Sequence, residues 1–257
     1  MKVIYCAYGG QIYADQLRQS VHSLRGQHPE ARIIVHTVPA FAPMIRDLPV
    51  EIVLNDAVAH AGDWHDPLMK VRAIMAEAEK EEAFVYLDND TYIAGPLSGA
   101  WRLLARFDCM GVQSPVSDQR AFLGLTPAPG LARPAGDVFP EWNGGVLFFA
   151  GTEAARQIAH RWLQVLKMGI PGGGDQWPLA QALWESEARL HVLGPVWNCR
   201  LPASPVIYGK AVILHADHAD LCQTAARLNA DTGLRRVVVT DGGFDAVPLA
   251  RDGRRVF

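Results

Sequence analysis

The chain reads as an α/β protein with one central, mostly parallel sheet and helices on both of its faces. Two observations predict this. Short apolar strands rich in β-branched residues alternate with helix-spaced apolar residues through the first half, and most of the strands are apolar throughout. Strands buried on both faces need no polar alternation, and parallel connections need a helix between strands.

The elements follow in order. Val3 to Ala7 is an apolar strand that ends at Tyr8-Gly9-Gly10. Ala14, Leu17, Val21 and Leu24 then recur at helical spacing. Arg32 to Thr37 and Glu51 to Leu54 are the second and third strands. Leu68, Val71, Met75 and Ala78 mark one helix face, and that helix runs into the charged stretch Glu77 to Glu82. Phe84 to Leu87 is a fourth strand leading directly into Asp88-Asn89-Asp90. Trp101 to Phe107 ends a helix, and Met110 to Val112 is a short strand. Ser114 to Asp137, rich in Pro, Gly and Ala, is a long loop of the kind that often carries function. Gly145 to Phe149 is a buried strand, and Thr152 caps a helix running to Met168. Pro171 to Gly174 stops the chain before a helix that begins near Asp175. Val192-Leu193 and Val212 to Leu214 are late strands, the second meeting His215. The tail holds one further strand, Val237 to Val239, and a polar end. The expected organisation is one domain over 1–257, with halves at 1–113 and 138–220 and a tail at 221–257.

Composition narrows the function classes. Hydrophobic residues make up 49 % and charged residues 20 % of 257, with a formal net charge of −3. That is an ordinary globular balance, and no basic block is present to bind nucleic acid. No stretch is apolar over the length a transmembrane helix needs, and the opening apolar run is too short for a signal peptide. Cys6, Cys109, Cys199 and Cys222 are scattered and read as reduced thiols. A cytoplasmic protein is expected, with peripheral membrane contact left open.

Ligands of parallel sheets sit beyond the carboxyl ends of the strands. Polar residues just after strands are therefore the candidates. Carboxylates two apart in an extended chain point the same way, so Asp88 and Asp90 can share a hard divalent cation whose shell a diphosphate completes. A polar turn after a strand would look the same. His215 is a candidate third ligand, with His218 a nearby competitor. Mixed nitrogen and oxygen ligands favour Mn²⁺ over Mg²⁺. Lys70 and Arg72, on the helix before the triplet, can pair with phosphate or sugar hydroxyls, or simply face solvent. In Trp142-Asn143-Gly144-Gly145-Val146 the glycines allow close ligand approach, and Asn143 offers a donor and an acceptor. Asp175 is either a helix cap or a carboxylate at a reacting sugar, with Gln176 beside it. A second Asp-Gln pair, Asp118-Gln119, lies inside the long loop with no helix behind it. Tyr8 and Tyr13 can stack on a base. Trp177 and Trp197 can stack on an acceptor sugar or pack in the core, and His60, His65 and His191 have no ligand spacing.

The order of these stretches resembles the glycogenin-like retaining glycosyltransferases of family 8 and the wider nucleotide-diphospho-sugar transferase group. The matching stretches are Ala7-Tyr8-Gly9, Met69-Lys70-Val71-Arg72, Val85 to Asp90, Trp142 to Val146, Gly174-Asp175-Gln176 and Leu214-His215, over roughly residues 1 to 220. The resemblance implies a single domain of the GT-A type and transfer from a UDP-sugar with retention, using Mn²⁺ or Mg²⁺. It further implies that Asp88 and Asp90 bind the metal with His215, and that Asp88 and Asn89 also face the nucleotide. Ala7, Tyr8, Gly9 and Tyr13 would belong to the nucleotide site, and Lys70 would hold the diphosphate or the sugar. Asn143, Gly144, Asp175 and Gln176 would face the donor sugar. The leaving phosphate would help deprotonate an acceptor, which is a carbohydrate, a lipid or a protein. The family's His-x-x-Gly-x-x-Lys clamp is absent: Ala216-Asp217-His218 follows His215, and Gly209-Lys210 precedes it. A nucleotide-sugar hydrolase and a non-catalytic sugar-nucleotide-binding protein remain as alternatives.

Overall fold

The computed structural model describes residues 1–55, 67–114, 139, 141–168, 174–218 and 220–249. Its centre is a seven-stranded sheet. The strands, in chain order, are β1 (Lys2–Ala7), β2 (Arg32–Thr37), β3 (Glu51–Leu54), β4 (Phe84–Leu87), β6 (Cys109–Gln113), β7 (Trp142–Phe149) and β8 (Leu190–Leu193). They lie in the order β3-β2-β1-β4-β7-β6-β8. β7 is antiparallel to both of its neighbours, and every other adjacent pair is parallel. Six strands thus share one direction, and the start of β7 meets their carboxyl ends.

Period-two alternation divides the core into two layers. Val3, Tyr5 and Ala7 of β1 pack with Ala14, Leu17, Val21 and Leu24 of α1 (Gln11–Gln27) on one face. Ile4 and Cys6 point the other way. There they meet α2 (Pro67–Ala78), α4 (Glu153–Lys167) and α5 (Gln176–Trp184). In α2 the buried face is wider than its apolar spacing indicated, since Met69, Ala73 and Ile74 join Val71 and Ala78. Glu77 in its last turn is buried too, with Oε1 bonded by His36 (2.8 Å) and Lys80 (2.7 Å) and Oε2 ion-paired with Lys2 at 3.3 Å.

Thr152 caps α4 as expected, accepting from the Ala155 N–H. Several expectations need correction. The helix placed up to Phe107 closes at Leu103 (α3, Ser98–Leu103), and hydrogen-bonded turns carry the chain on to Phe107. The tail contains more than one strand. α6 (Leu221–Ala230), capped by Asp220, leads to the hairpin β12 (Arg235–Thr240) and β13 (Gly243–Pro248). This hairpin pairs with β10 (Val206–Ile207), and Gly243 turns it at φ 121°. Arg235 is buried beneath, with its guanidinium on the carbonyls of Leu228, Gly233 and Gly209. The Ser114–Asp137 loop lies, except for Ser114, outside the described residues, as do Asp118-Gln119, His60, His65 and Pro171 to Gly173.

A second small sheet, β5-β11-β9, does most to build the site. It joins β5 (Thr91–Ile93), β11 (Ile213–His215) and β9 (Cys199–Arg200). His215 pairs with Thr91 on one side and Arg200 on the other. His215 therefore does not end a strand of the central sheet. It is carried there by pairing with the three residues that follow the Asp triplet.

Candidate metal and sugar-nucleotide site

The two carboxylates are not brought together by an extended chain. Asn89 and Asp90 form a turn between β4 and β5, closed by Thr91 N to Asp88 O at 3.3 Å. A buried hydroxyl chain pins this turn. Tyr5 meets Ser20 at 3.0 Å, Ser20 meets Thr91 at 2.8 Å, and Thr91 donates to the Asp88 carbonyl at 2.8 Å. Burial pushes the Tyr5 phenol up, so it stays protonated.

Asp88, Asp90 and His215 each contribute one ligand atom to a cluster whose atoms all lie within 4.8 Å of one another. His215 Nε2 is 3.2 Å from Asp90 Oδ1 and 3.9 Å from Asp88 Oδ2. The other Asp88 oxygen, Oδ1, is taken by the Tyr86 hydroxyl at 2.7 Å and by Lys70 Nζ at 3.2 Å. Asp88 thus turns one oxygen to the protein and the other to the cluster. Burial pushes the Asp90 carboxyl up, and the Arg200 guanidinium pulls it down.

The hydrogen bonds assign the imidazole tautomer. The Gly145 N–H donates to Asn143 Oδ1 at 3.0 Å, which fixes which Asn143 atom is the oxygen. That oxygen also accepts from Asn198 Nδ2 at 2.8 Å, so the oxygen of Asn198 faces away from Asn143. It meets His215 Nδ1 at 2.9 Å, and Nδ1 must carry the proton. Arg200 NH1, which can only donate, meets Nε2 at 3.0 Å, so Nε2 keeps its lone pair, as a metal ligand requires. Gly145 makes room for this. A Cβ there would sit 2.2 Å from His215 Cε1 and 2.5 Å from Asp88 Oδ2. The donor set and the cradle therefore fit a divalent cation.

Beside the cluster, Lys70 Nζ bridges Asp88 and Asp175, 2.8 Å from Asp175 Oδ2 and 4.9 Å above the Tyr86 ring. Burial lowers its pKa, but the two carboxylates outweigh that and hold the ammonium charged. Asp175 stands at the N-cap of α5, yet its side chain makes no capping bond and turns to Lys70 instead. Asn143 donates to Gln176 at 3.2 Å. The reversed direction of β7 explains the convergence, since Asp88 N bonds Gly145 O at 2.8 Å and brings Asn143 and Gly144 alongside the triplet.

These groups line one open cavity of about 400 Å³. Tyr8, Tyr13, Lys70, Asp88, Asn89, Asp90, Asn143, Gly144, Asp175, Gln176 and His215 all reach it. Gly9, at φ 99°, turns the chain there, and a Cβ on it would strike the Tyr13 ring at 2.8 Å. Gly9 adjoins the lining without being part of it, and two further expected residues are placed elsewhere. Ala7 is buried in the core with its carbonyl on Thr37, and Arg72 lies outside the lining. His218 stacks edge-on against Phe244 and accepts from the Asp220 N–H, away from the cluster. Trp197 packs edge-on against Phe148, and His191 stacks on Phe107. Residues that no motif pointed to are also present. They are Tyr86, Asn198, Arg200 and the pair Gln16–Asp217.

No family model matches the sequence, and no curated protein matches it. Solved structures do match the fold. The galactosyltransferase LgtC, in complex with donor and acceptor sugar analogues, superposes with a TM-score of 0.54 at 13 % identity, over 84 % of this chain and 86 % of that one. Mouse xyloside xylosyltransferase 1 gives 0.56 at 14 % identity, over 87 % of this chain and 99 % of that one. The glycosyltransferase GlyE of Streptococcus pneumoniae gives 0.52 at 14 % identity, over 83 % of this chain and 53 % of its own. The fold is the GT-A glycosyltransferase fold.

Proposed function

We propose that this protein moves a sugar from a UDP-sugar donor to an acceptor hydroxyl, with a divalent cation held by Asp88, Asp90 and His215. The observation that carries the reading is the convergence of that cluster with the Lys70–Asp175 pair at the carboxyl edge of a GT-A sheet. Mn²⁺ is favoured over Mg²⁺ because one ligand is an imidazole. When bound, the cation supplies the positive charge that a departing diphosphate needs.

The chain's own residues divide the remaining work. Tyr8 and Tyr13 offer rings for the base, and Asn89, whose buried Oδ1 has no hydrogen-bond partner among the described residues, lines the cavity beside them. Lys70 keeps Asp175 ionised and aimed, so that its carboxylate accepts from donor-sugar hydroxyls. The amides of Asn143 and Gln176 complete the sugar's hydrogen bonds. Among the described residues the carboxylates lining the cavity have work of their own: Asp88 bonds Tyr86 and Lys70, Asp175 bonds Lys70, Asp217 bonds Gln16, and Asp90 faces the proposed cation. That supports retention, with the leaving phosphate taking the acceptor's proton. LgtC holds donor and acceptor sugar analogues, and the same two kinds of ligand are proposed here.

Among the described residues no helix is long and apolar enough to cross a membrane, and none of the four cysteines is in a disulfide. A cytoplasmic enzyme organised as one domain is part of the same proposal. The test is UDP release from a panel of UDP-sugars in Mn²⁺, with and without glycoside acceptors, for the native protein and Asp90→Ala. Transfer product that disappears in an Asp90→Ala protein of native melting temperature is the expected result. Free sugar without transfer product would make the protein a hydrolase, and full activity in the variant would reject the site.

A further inference from the structure

Two cationic side chains line the cavity, Lys70 and Arg200. Lys70 is spent on two carboxylates. Arg200 is not. It ends β9, in register beside His215, and among the described residues its guanidinium has one hydrogen-bond partner and no ion pair. The partner is His215 Nε2, at 3.0 Å from NH1. A guanidinium carries five N–H donors in a planar fork suited to phosphate oxygens, so four of them remain for a ligand.

The bond it does make has a consequence. Nε2 is the nitrogen that carries the lone pair, because Nδ1 donates to Asn198 and the guanidinium at Nε2 can only donate. A single lone pair cannot accept from Arg200 and bind a cation at the same time. Filling the Asp88–Asp90–His215 cluster therefore releases the guanidinium into a cavity where Lys70 is already engaged. A released arginine beside a cation site meets the anionic part of whatever ligand bridges to that cation.

We propose that Arg200 binds the diphosphate of the nucleotide, and that until the diphosphate arrives it competes with the metal for His215. This rests on the sugar-nucleotide reading of the cavity and deepens it. It supplies from β9 the cation that the segment after His215 lacks. It also makes metal and diphosphate mutually cooperative, because each removes a cost from the binding of the other.

The experiment is calorimetric titration of Mn²⁺ alone, and of UDP and uridine in saturating Mn²⁺, into the native protein, Arg200→Ala and Arg200→Lys. In Arg200→Ala, Mn²⁺ alone should bind about three- to tenfold more tightly, since one competing hydrogen bond is gone. UDP should bind about 10- to 100-fold more weakly, the loss of charge-assisted bonds to phosphate, while uridine is unchanged. Arg200→Lys keeps the charge without the fork, and its UDP affinity should fall between the two. Equal losses for UDP and uridine, weaker Mn²⁺ binding in Arg200→Ala, or unchanged UDP affinity would each overturn the proposal. A native protein that binds neither Mn²⁺ nor UDP would instead remove the reading on which it rests.

Discussion

Replacing Gly145 by alanine adds one methyl group and changes no ligand residue, yet it should remove the metal site. The new Cβ would lie 2.2 Å from His215 Cε1, 2.5 Å from Asp88 Oδ2 and 3.0 Å from His215 Nδ1. Carbon atoms pack at roughly 3.5 to 4 Å, so the imidazole or the strand must retreat by more than roughly an ångström. Neither can do so cheaply. His215 is 1 % exposed and tied to Asn198, while Gly145 bonds Asp88 N through its carbonyl and Asn143 through its N–H. Metal sites tolerate displacements of about 0.2 Å. Mn²⁺ affinity should therefore fall by at least about 100-fold, the upper end for disturbing a ligand's support. Overpacking should also cost about 1 to 3 kcal/mol, a loss of several degrees in melting temperature for a chain of this size. Calorimetry with MnCl₂ and a thermal melt measure both effects. Gly174→Ala is the control, because a Cβ there meets nothing within 4 Å although the residue also lines the cavity. A Gly145→Ala protein that binds Mn²⁺ within about threefold of native and melts with it would refute the reasoning.

Other outcomes follow from the same geometry. Asn198→Ala leaves the His215 tautomer unset and should weaken Mn²⁺ by about 10- to 100-fold. Asn198→Asp, which still accepts from Nδ1, should lose less; calorimetry ranks the two, and the reverse order would sink the tautomer assignment. Asp108 takes bonds from Arg189 and from Thr152, and although burial opposes them they hold its carboxyl at about 2. A depressed carboxyl stabilises the fold above its unfolded value near 4 and loses that contribution as pH falls towards 2. Arg189 is largely exposed, so solvent screening leaves about 1 to 2 kcal/mol. Urea unfolding of Asp108→Asn should show that loss at pH 7 and a deficit reduced to about a third of it near pH 2.5. An equal deficit at both values would contradict it.

Much of the site could be read along the chain because local chemistry announces it. Four apolar residues followed at once by Asp88-Asn89-Asp90 show both where a strand ends and what stands at its edge. Arg32–Thr37 and Glu51–Leu54 were legible to the residue for the same reason, as β-branched runs between polar breaks. Strand direction is not written locally. Nothing in Trp142 to Phe149 says that β7 runs against its neighbours, and only that reversal places Asn143 and Gly144 beside Asp88. Asn198 and Arg200 reach the site through the two residues of β9 pairing with two of the three in β11, elements too short to carry a periodic signal. The C-terminal hairpin was half visible. Val237 to Val239 stands out, while its partner Gly243–Pro248 carries Asp245 and a glycine turn that hide it. Leu221, Thr224, Ala225 and Leu228 did hold helical spacing behind a capping Asp220, and that signal was missed rather than absent.

The central claim is that Asp88, Asp90 and His215 hold a cation that a nucleoside diphosphate completes. Calorimetric titration of UDP into the native protein, once with Mn²⁺ and once after chelation, tests it most directly. Saturable one-site binding with Mn²⁺ that vanishes on chelation is the predicted result. UDP binding equally well without the metal, or not at all in either state, would contradict the claim.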